Sequence, residues 1–531
     1  MKDVTRSSAD TFVLAIDHGT SGCKTALVTM DGRVVGFEFE PTPMHFVGVG
    51  GVEQDPQDWW RALITSSRRV VERGLVKVDD IEAVCVSSSF STTVAVDRDG
   101  EPLGRALTWM DSRGAPLVQR LMGGFPSLGG YSLANALRFI PRAGGAPTLS
   151  GKDDIAHMVY VQHDQPDVYR QADKFLGSKD FLNLRLTGRV AASYDSMTLF
   201  WVSDIRDIHR VRYDDSLIAR LGIHREKLPP MRASTDVLGP VLPAVADALG
   251  IRRDTPVVVG SPDLQSACVG SGAVRDYEGH VYIGTSSWLL CHVPFKKTDP
   301  FHVIASLPSA MPGRYFCANE QEVAGGCLDF LARNLVFHPS RLQDRPVPED
   351  VYAELDAICA TVPAGARGVI FTPWLNGEKT PVDDHRVRAG LHNLSLTTTM
   401  DDVVRAVFEG VACNSRWVLR YVERFVKRRL DPLNMIGGGA KSEVWCQIYA
   451  DVLDRTTRQV EDPLQGNARG AAFIAAVALG RIRFDEIPGL IRYAKTFTPN
   501  PDHRRLYDEI FAEFVRLYKR NRPIYARLNR S

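Results

Sequence analysis

Phe12-Val-Leu-Ala-Ile-Asp17-His-Gly19-Thr20-Ser21-Gly22-Cys23-Lys24-Thr-Ala-Leu-Val28 is the stretch that decides how this chain is read. An apolar run leads through Asp17 to a turn on Gly-Thr-Ser and returns as a second apolar run, the pattern of two strands joined at a tip. Such a tip offers backbone N–H groups and hydroxyls to an anion. The other half of the chain repeats the pattern in Val281-Tyr-Ile-Gly284-Thr285-Ser286-Ser-Trp-Leu-Leu290. One such turn is ordinary loop chemistry. Two suggest a duplicated architecture that grips a polyphosphate from both sides, and phosphoryl transfer becomes the first expectation.

Working outward, 531 residues are too many for one core, so two large domains are expected. A formal net charge of +1 gives no whole-chain field that would recruit nucleic acid or an anionic membrane. The nine cysteines contain no C-x-x-C pair and sit in apolar runs, which points to buried thiols instead of disulfides or zinc. Met1 to Asp10 is polar without an apolar core, and no stretch reaches membrane-spanning length, so a cytoplasmic protein is expected.

Residues 12–40 read as three strands with a tight hairpin at Asp31-Gly32. Glu53-Gln54-Asp55-Pro56 leads into a helix from about Asp58, and strands follow near 83–87 and 93–97. Pro256 to Gly260 reads as a buried strand, with a domain boundary near residue 255. A strand near 368–372, a helix from Met400 to Val426 and a terminal helix from about Tyr507 to Pro523 complete the second half. The class is α/β with a mixed sheet. The divisions expected are 11–255, 256–490 and a helical tail over 491–531.

Three further features could carry chemistry. Asp17 beside a phosphate tip would repel a nucleotide unless a cation such as Mg²⁺ lay between them, and it could equally cap its turn. Asp263, at the end of the 256–260 strand and the start of a helix, could take a proton from an attacking alcohol or serve only as the helix N-cap. Gly437-Gly438-Gly439-Ala440-Lys441-Ser442 lets a flat ligand approach the backbone, but its spacing is neither that of a P-loop nor that of a dinucleotide fingerprint.

Together these segments resemble the FGGY family of carbohydrate kinases, within the superfamily of actin, Hsp70 and sugar kinases. Asp17 to Lys24 is similar to its first phosphate loop, and Gly284-Thr285-Ser286 to its second. Glu53 to Trp60, Ala106 to Arg113 with Trp109 and Asp111, and Lys179-Asp180 to Gly188 resemble further family segments. So do Gly260-Ser-Pro-Asp263, Asn376-Gly-Glu-Lys379-Thr-Pro381 and Gly437 to Ser442, the last resembling the adenosine motif.

The resemblance implies two RNase H-like (actin-like ATPase) domains around a deep interdomain cleft, with ATP and Mg²⁺. Asp17 would lie near the metal, and Gly19, Thr20, Ser21 and Lys24 near the transferred phosphate. Gly284, Thr285 and Ser286 would meet the phosphates from the other domain, and Gly438, Gly439, Ala440 and Ser442 would border adenosine. Asp263 becomes the general base, with Trp109 and Asp111 on the sugar side. The xylulokinase-like branch fits the phosphate and adenosine motifs best, so the substrate implied is a ketopentose such as xylulose, with ribulose, glycerol or erythritol as alternatives. Where that branch usually carries Met-His, this chain has Phe90-Ser91, which either alters the sugar contacts or is core packing. A regulatory ATP-binding protein on the same scaffold is the competing class. The implied partners are a small sugar and ATP, without nucleic acid or membrane, and with self-association into a homodimer left open.

Overall fold

The computed structural model describes residues 10–337 and 346–529. The reading of Met1 to Asp10 as a polar start thus lies almost wholly outside the described residues. Among those described, no helix is long and apolar enough to cross a membrane, and all nine cysteines are free and buried.

Two sheets repeat one topology. Phe12–Gly19 pairs antiparallel with Gly22–Thr29, which pairs antiparallel with Val34–Pro41. On its other side Phe12–Gly19 runs parallel to Ile81–Ser88, and that strand runs parallel to Pro256–Pro262. In the second sheet Gly279–Ile283 pairs antiparallel with Ser287–Val293, which pairs with Tyr315–Ala318. Gly279–Ile283 then runs parallel to Leu433–Ile436, and that strand parallel to Thr457–Val460. The order third-second-first-fourth-fifth is therefore the same twice, the duplication that the two Gly-Thr-Ser turns announced.

Three expectations change. The division near residue 255 falls inside the first sheet, because Pro256–Pro262 hydrogen-bonds to Ile81–Ser88 and also pairs antiparallel with Val237–Pro240. We place the boundary between Gly270 and Gly279, where the chain leaves one sheet and enters the other. The first long helix spans Pro56–Glu72, starting before Asp58, because the Asp55 side chain accepts from the Gln57 N–H at 2.9 Å and proline suits the first turn.

Nor is 491–531 a detached helical tail. Tyr493–Phe497 closes an edge of the second sheet against Thr457–Val460. The last helix, Arg504–Leu528, continues past Pro523. Arg522 donates to Asp384 at 3.2 Å and Asn529 to the Arg386 carbonyl at 2.8 Å, which anchors the helix on both sides of the proline. Phe514 and Tyr518 pack on Trp374 with ring centroids 5.3 and 5.6 Å apart.

The long helix Met400–Val426 matches its expected bounds. Thr399 and Asp402 form a reciprocal capping box at its start, and Lys427 ends it with φ +56°.

The sheets are joined by two helices, Asp263–Gly270 after the fifth strand of the first and Gly466–Ala478 after the fifth strand of the second. They cross with their backbones in contact. A Cβ on Gly270 would lie 1.8 Å from the Gly466 carbonyl oxygen, and one on Gly470 would lie 1.8 Å from that of Ser266. Only hydrogen fits there. The crossing is braced at both ends: Asn434 of the second sheet donates to the Ser271 carbonyl at 2.8 Å, and Arg469 donates to the Gly32 carbonyl of the first lobe at 3.0 Å.

Gly470→Ala should force the helices apart and cost about 1–3 kcal/mol or more, the penalty typical of overpacking. Calorimetry should show the melting temperature lowered by several degrees; an unchanged transition would mean the contact is not tight in solution.

Candidate functional site

Asp17 lies on the last residues of the first strand, directly before the Gly19-Thr20-Ser21 tip. Its carboxylate is nearly buried and faces Lys24 Nζ at 3.5 Å across the hairpin. Asn467, at the start of the Gly466–Ala478 helix, donates to it at 3.2 Å. Lys24 reaches the same crossing segment, donating to the Leu464 carbonyl at 3.0 Å. The first tip is thus tied to the second lobe by both partners of an ion pair.

The tip is held from behind. Gln54 donates through Nε2 to the Thr20 carbonyl at 2.9 Å and accepts from the Trp59 indole at 3.2 Å. That is the physical content of Glu53-Gln54-Asp55-Pro56. Trp109 donates its indole N–H to the Thr20 hydroxyl at 2.9 Å. With its oxygen lone pair engaged, Thr20 is left with its own O–H to give to an anion. Thr20 is half-buried and Ser21 exposed, so both are open to a ligand.

Asp263 sits where the Pro256–Pro262 strand ends. A register shift between Val258 and Ser261 re-aims that end. Gly260 makes this possible: its φ is +71° and a Cβ would lie 2.1 Å from the Val86 carbonyl oxygen. The strand is gripped by Lys179 and Asn183, which donate to the Val259 carbonyl at 3.1 and 2.8 Å. Buried Asp195 accepts from the hydroxyls of Ser261 and Ser234. Asp263 is the first residue of its helix and does not cap it; its carboxylate accepts only from the adjacent Leu264 N–H, at 2.8 Å. Pro262 holds the N-cap position, so the Asp263 carboxylate serves the first turn of the helix only through the Leu264 N–H.

The electrostatics bring these residues together. Loss of solvation pushes the Asp263 carboxyl up to about 8, and the charge of Asp17 pushes in the same direction, with Glu320 adding less. Glu320 is itself paired with Lys379 at 2.7 Å, which gives the Asn376 to Pro381 segment a role at the rim. Within that segment Glu378 is buried and pushed up to about 8 by desolvation, holding the Glu322 and Lys379 N–H groups.

Sequence reasoning missed Tyr282. Its ring stacks on Trp288 at 4.0 Å with a 2° interplanar angle, across the hairpin that carries the second tip. A Cβ on Gly284 would lie 2.4 Å from that ring. Burial raises the Tyr282 phenol, and Asp17 and Asp263 both raise it further. One phenol thus senses both carboxylates while roofing the second Gly-Thr-Ser turn. The stacked Tyr-Trp pair on alternate strands was the available signal. Thr285 is exposed beside it, and the Gly284 and Thr285 carbonyls accept from the Gly325 and Ala324 N–H groups at 2.8 and 2.7 Å.

Other expected residues take different positions. Gly438 is exposed with open space above it, its nearest neighbour being Leu464 at 3.7 Å from a built Cβ. Gly439 has no such space, since Ile283 and Trp445 crowd it. Ala440 is fully buried. Ser442 caps the Glu443–Leu453 helix, accepting from Trp445 N–H at 3.0 Å, and gives its proton to Asp356 at 2.7 Å. Ala440 and Ser442 therefore shape the turn from behind it.

Asp111 is likewise no wall of a cavity: it is fully buried and accepts from the Val52 N–H and from the Arg113 guanidinium. Ser91 adopts φ +55° and spends its proton on the Lys152 carbonyl at 2.8 Å, while Phe90 stays half-exposed. Behind them Thr93 donates to buried Asp154, which desolvation pushes up to about 7.

The chain is similar to known proteins over nearly its whole length. The model of the N-terminal domain of the FGGY family of carbohydrate kinases matches residues 12–270, and that of the C-terminal domain matches residues 279–479. A xylulose kinase from Staphylococcus epidermidis is 26% identical over 97% of this chain and 98% of its own length. An autoinducer-2 kinase from an Enterobacter strain is also 26% identical, over 96% and 94%. The crystal structure of a gluconate kinase from Lactobacillus acidophilus superposes with a TM-score of 0.84 at 23% identity, covering 98% of this chain and all of the other.

Carboxyl-detected NMR should place the Asp263 midpoint near 8 in the free protein. Asp17→Asn should move it downward, because the second-largest cause of the shift is removed. A midpoint near 4 in the parent protein would show that water solvates the carboxylate fully.

Proposed function

The chain belongs to the FGGY family of carbohydrate kinases, and on that premise we propose that it transfers the terminal phosphoryl group of ATP to a primary hydroxyl of a ketopentose, xylulose being the first candidate. The family uses ATP as co-substrate, and its members are sugar phosphotransferases. The reading is supported by the family models that match both halves of the chain and by the mutual electrostatic influence of Asp17, Asp263 and Tyr282. In the proposed step the sugar oxygen bonds to the γ-phosphorus, the bond from that phosphorus to the bridging oxygen breaks, ADP leaves, and Asp263 takes the hydroxyl proton.

Thr20 and Thr285 are in place to donate to phosphoryl oxygens from opposite lobes, and Gly438 to leave room for a flat base. Asp17 is the residue that would hold a divalent cation. It fits: a nearly buried carboxylate raises Asp263 through charge repulsion that such a cation would relieve. Among the described residues no group of three or more His, Cys, Asp or Glu forms a cage of its own. Magnesium, when bound, would neutralise phosphate charge while held mainly by those phosphates and by water.

For the sugar, support comes from the relatives whose names specify xylulose. Gluconate and autoinducer-2 kinases of similar likeness keep other acceptors in play, and Phe90-Ser91 marks where this chain departs from the xylulokinase-like pattern. The half-buried Phe90 ring and the engaged Ser91 hydroxyl offer fewer donors than a histidine would. A buried sugar hydroxyl without a partner costs about 1–3 kcal/mol, enough to redirect specificity.

A coupled assay of ADP release over pentuloses, hexuloses, gluconate and polyols tests the proposal; xylulose should give the highest kcat/KM. If no polyol raises ADP formation above the basal rate, the kinase reading fails. Asp263→Asn should keep nucleotide affinity while slowing transfer by about 10²–10⁴-fold, the range of general-base contributions. Tyr282→Phe should leave KM for ATP within two-fold, as an estimate, and lower kcat on the order of ten-fold, the size of one hydrogen bond to developing charge. Equal kcat in the two proteins would assign the ring a packing role only.

A further inference from the structure

The Met400–Val426 helix ends in a column of arginines spaced four apart: Arg416, Arg420, Arg424 and then Arg428 just beyond it. Residues four apart on a helix are neighbours, and like charges there are destabilising. Lys427 and Arg429 flank Arg428 in the chain, folding adds Arg455 and Arg504 from two other segments, and all of these line one groove of ≈ 840 Å³. Leu419, Leu453 and Phe511 contribute its apolar lining. None of the site residues described above belongs to it.

A bland account exists for part of this charge. Cations suit helix C-termini, and both Met400–Val426 and Glu443–Leu453 end here. Ion pairs account for more. The groove has three acidic side chains, and each is already engaged. Glu423 takes the Arg455 guanidinium at 2.6 Å. Asp454 meets Arg504 at 2.6 Å and Arg429 at 3.5 Å. Asp508 accepts from Arg504 at 2.8 Å and also pairs with Arg416.

Four cations remain. Arg420, Arg424, Lys427 and Arg428 meet no carboxylate among the described residues, and all four are exposed. Two of them are held in place: the Arg424 guanidinium lies 5.6 Å from the centroid of the Tyr421 ring, and that of Arg428 lies 4.8 Å from that of Tyr277. Stacking on a ring face leaves the N–H edges of a guanidinium free. In a chain of net charge +1, four unneutralised cations at one groove are a local excess that composition does not explain.

We propose that this groove is a binding site for a small anion bearing two or more phosphate groups, separate from the nucleotide cleft. The volume is that of a small-molecule site. Guanidinium forks match phosphate geometry, and a field focused by an apolar lining favours multiply charged ligands over single ones. A nucleic acid fits less well, because neither Tyr421 nor Tyr277 lines the groove and each already carries an arginine on one face.

The full-length protein, saturated with ADP to fill the nucleotide cleft, is titrated calorimetrically with inorganic tripolyphosphate. One saturable site is expected, and the double variant Arg420→Glu/Arg424→Glu should weaken it at least 30-fold by our estimate, with orthophosphate binding far more weakly to either protein. Melting curves check that the variant is folded, and Arg420→Gln/Arg424→Gln provides a milder second version with an intermediate loss. Absence of saturable binding in the parent protein, or equal affinity in the parent and both variants, would overturn the proposal. Binding of a 20-nucleotide RNA strand without binding of tripolyphosphate would overturn it in favour of a nucleic-acid surface.

Discussion

Two helices that touch backbone to backbone hold this molecule together. Each follows the fifth strand of one sheet, and each carries part of the chemistry: Asp263 opens one, and Asn467, the partner of Asp17, lies at the start of the other. The contact works because Gly270 and Gly470 have no side chains at the crossing. Larger residues would separate the helices and move both ends of the active centre at once. A pivot of this kind lets two lobes rotate about a short axis while the residues nearest that axis move least.

Desolvation dominates the electrostatics of the cleft. Asp263 is raised chiefly by lost hydration and next by the charge of Asp17. The sign matters: a raised carboxyl pKa leaves the group largely protonated at neutral pH in the free protein, and ionised only above about 8. A protonated acid cannot accept a proton, so in the proposed role Asp263 would be poorly primed as a base in the free protein. Positive charge brought near the pair would lower the Asp263 pKa and ionise it. Arrival of the co-substrates would thus prime the base, which guards against wasteful hydrolysis.

The periphery of the proposed site is built from ion pairs and amides engaged with protein groups. Arg113 ties Asp111 to Glu53, Gln54 ties the first tip to Trp59, and Lys179 with Asn183 ties the Asp263 strand to its neighbouring helix. Such groups hold reacting atoms within narrow limits, and their loss disturbs geometry before it disturbs affinity.

Much was legible in the chain before folding. The two Gly-Thr-Ser turns, the three leading strands and the bounds of Met400–Val426 follow from alternation, turn residues and caps, all of which act over a few residues. The resemblance of ordered motifs pointed to the sugar kinase family. What remained hidden depended on distant neighbours. That Asp111 and Ser442 are engaged with protein partners, and that Tyr282 stacks on Trp288 within the field of Asp17 and Asp263, was decided only when separate segments met. By spacing alone Lys427-Arg428-Arg429 is no more than a charged helix end; Arg455 and Arg504 come beside it only on folding. Local spacing sets backbone dihedrals, but burial and charge pairing belong to three-dimensional proximity, and those are the quantities that set the reactivity of a side chain.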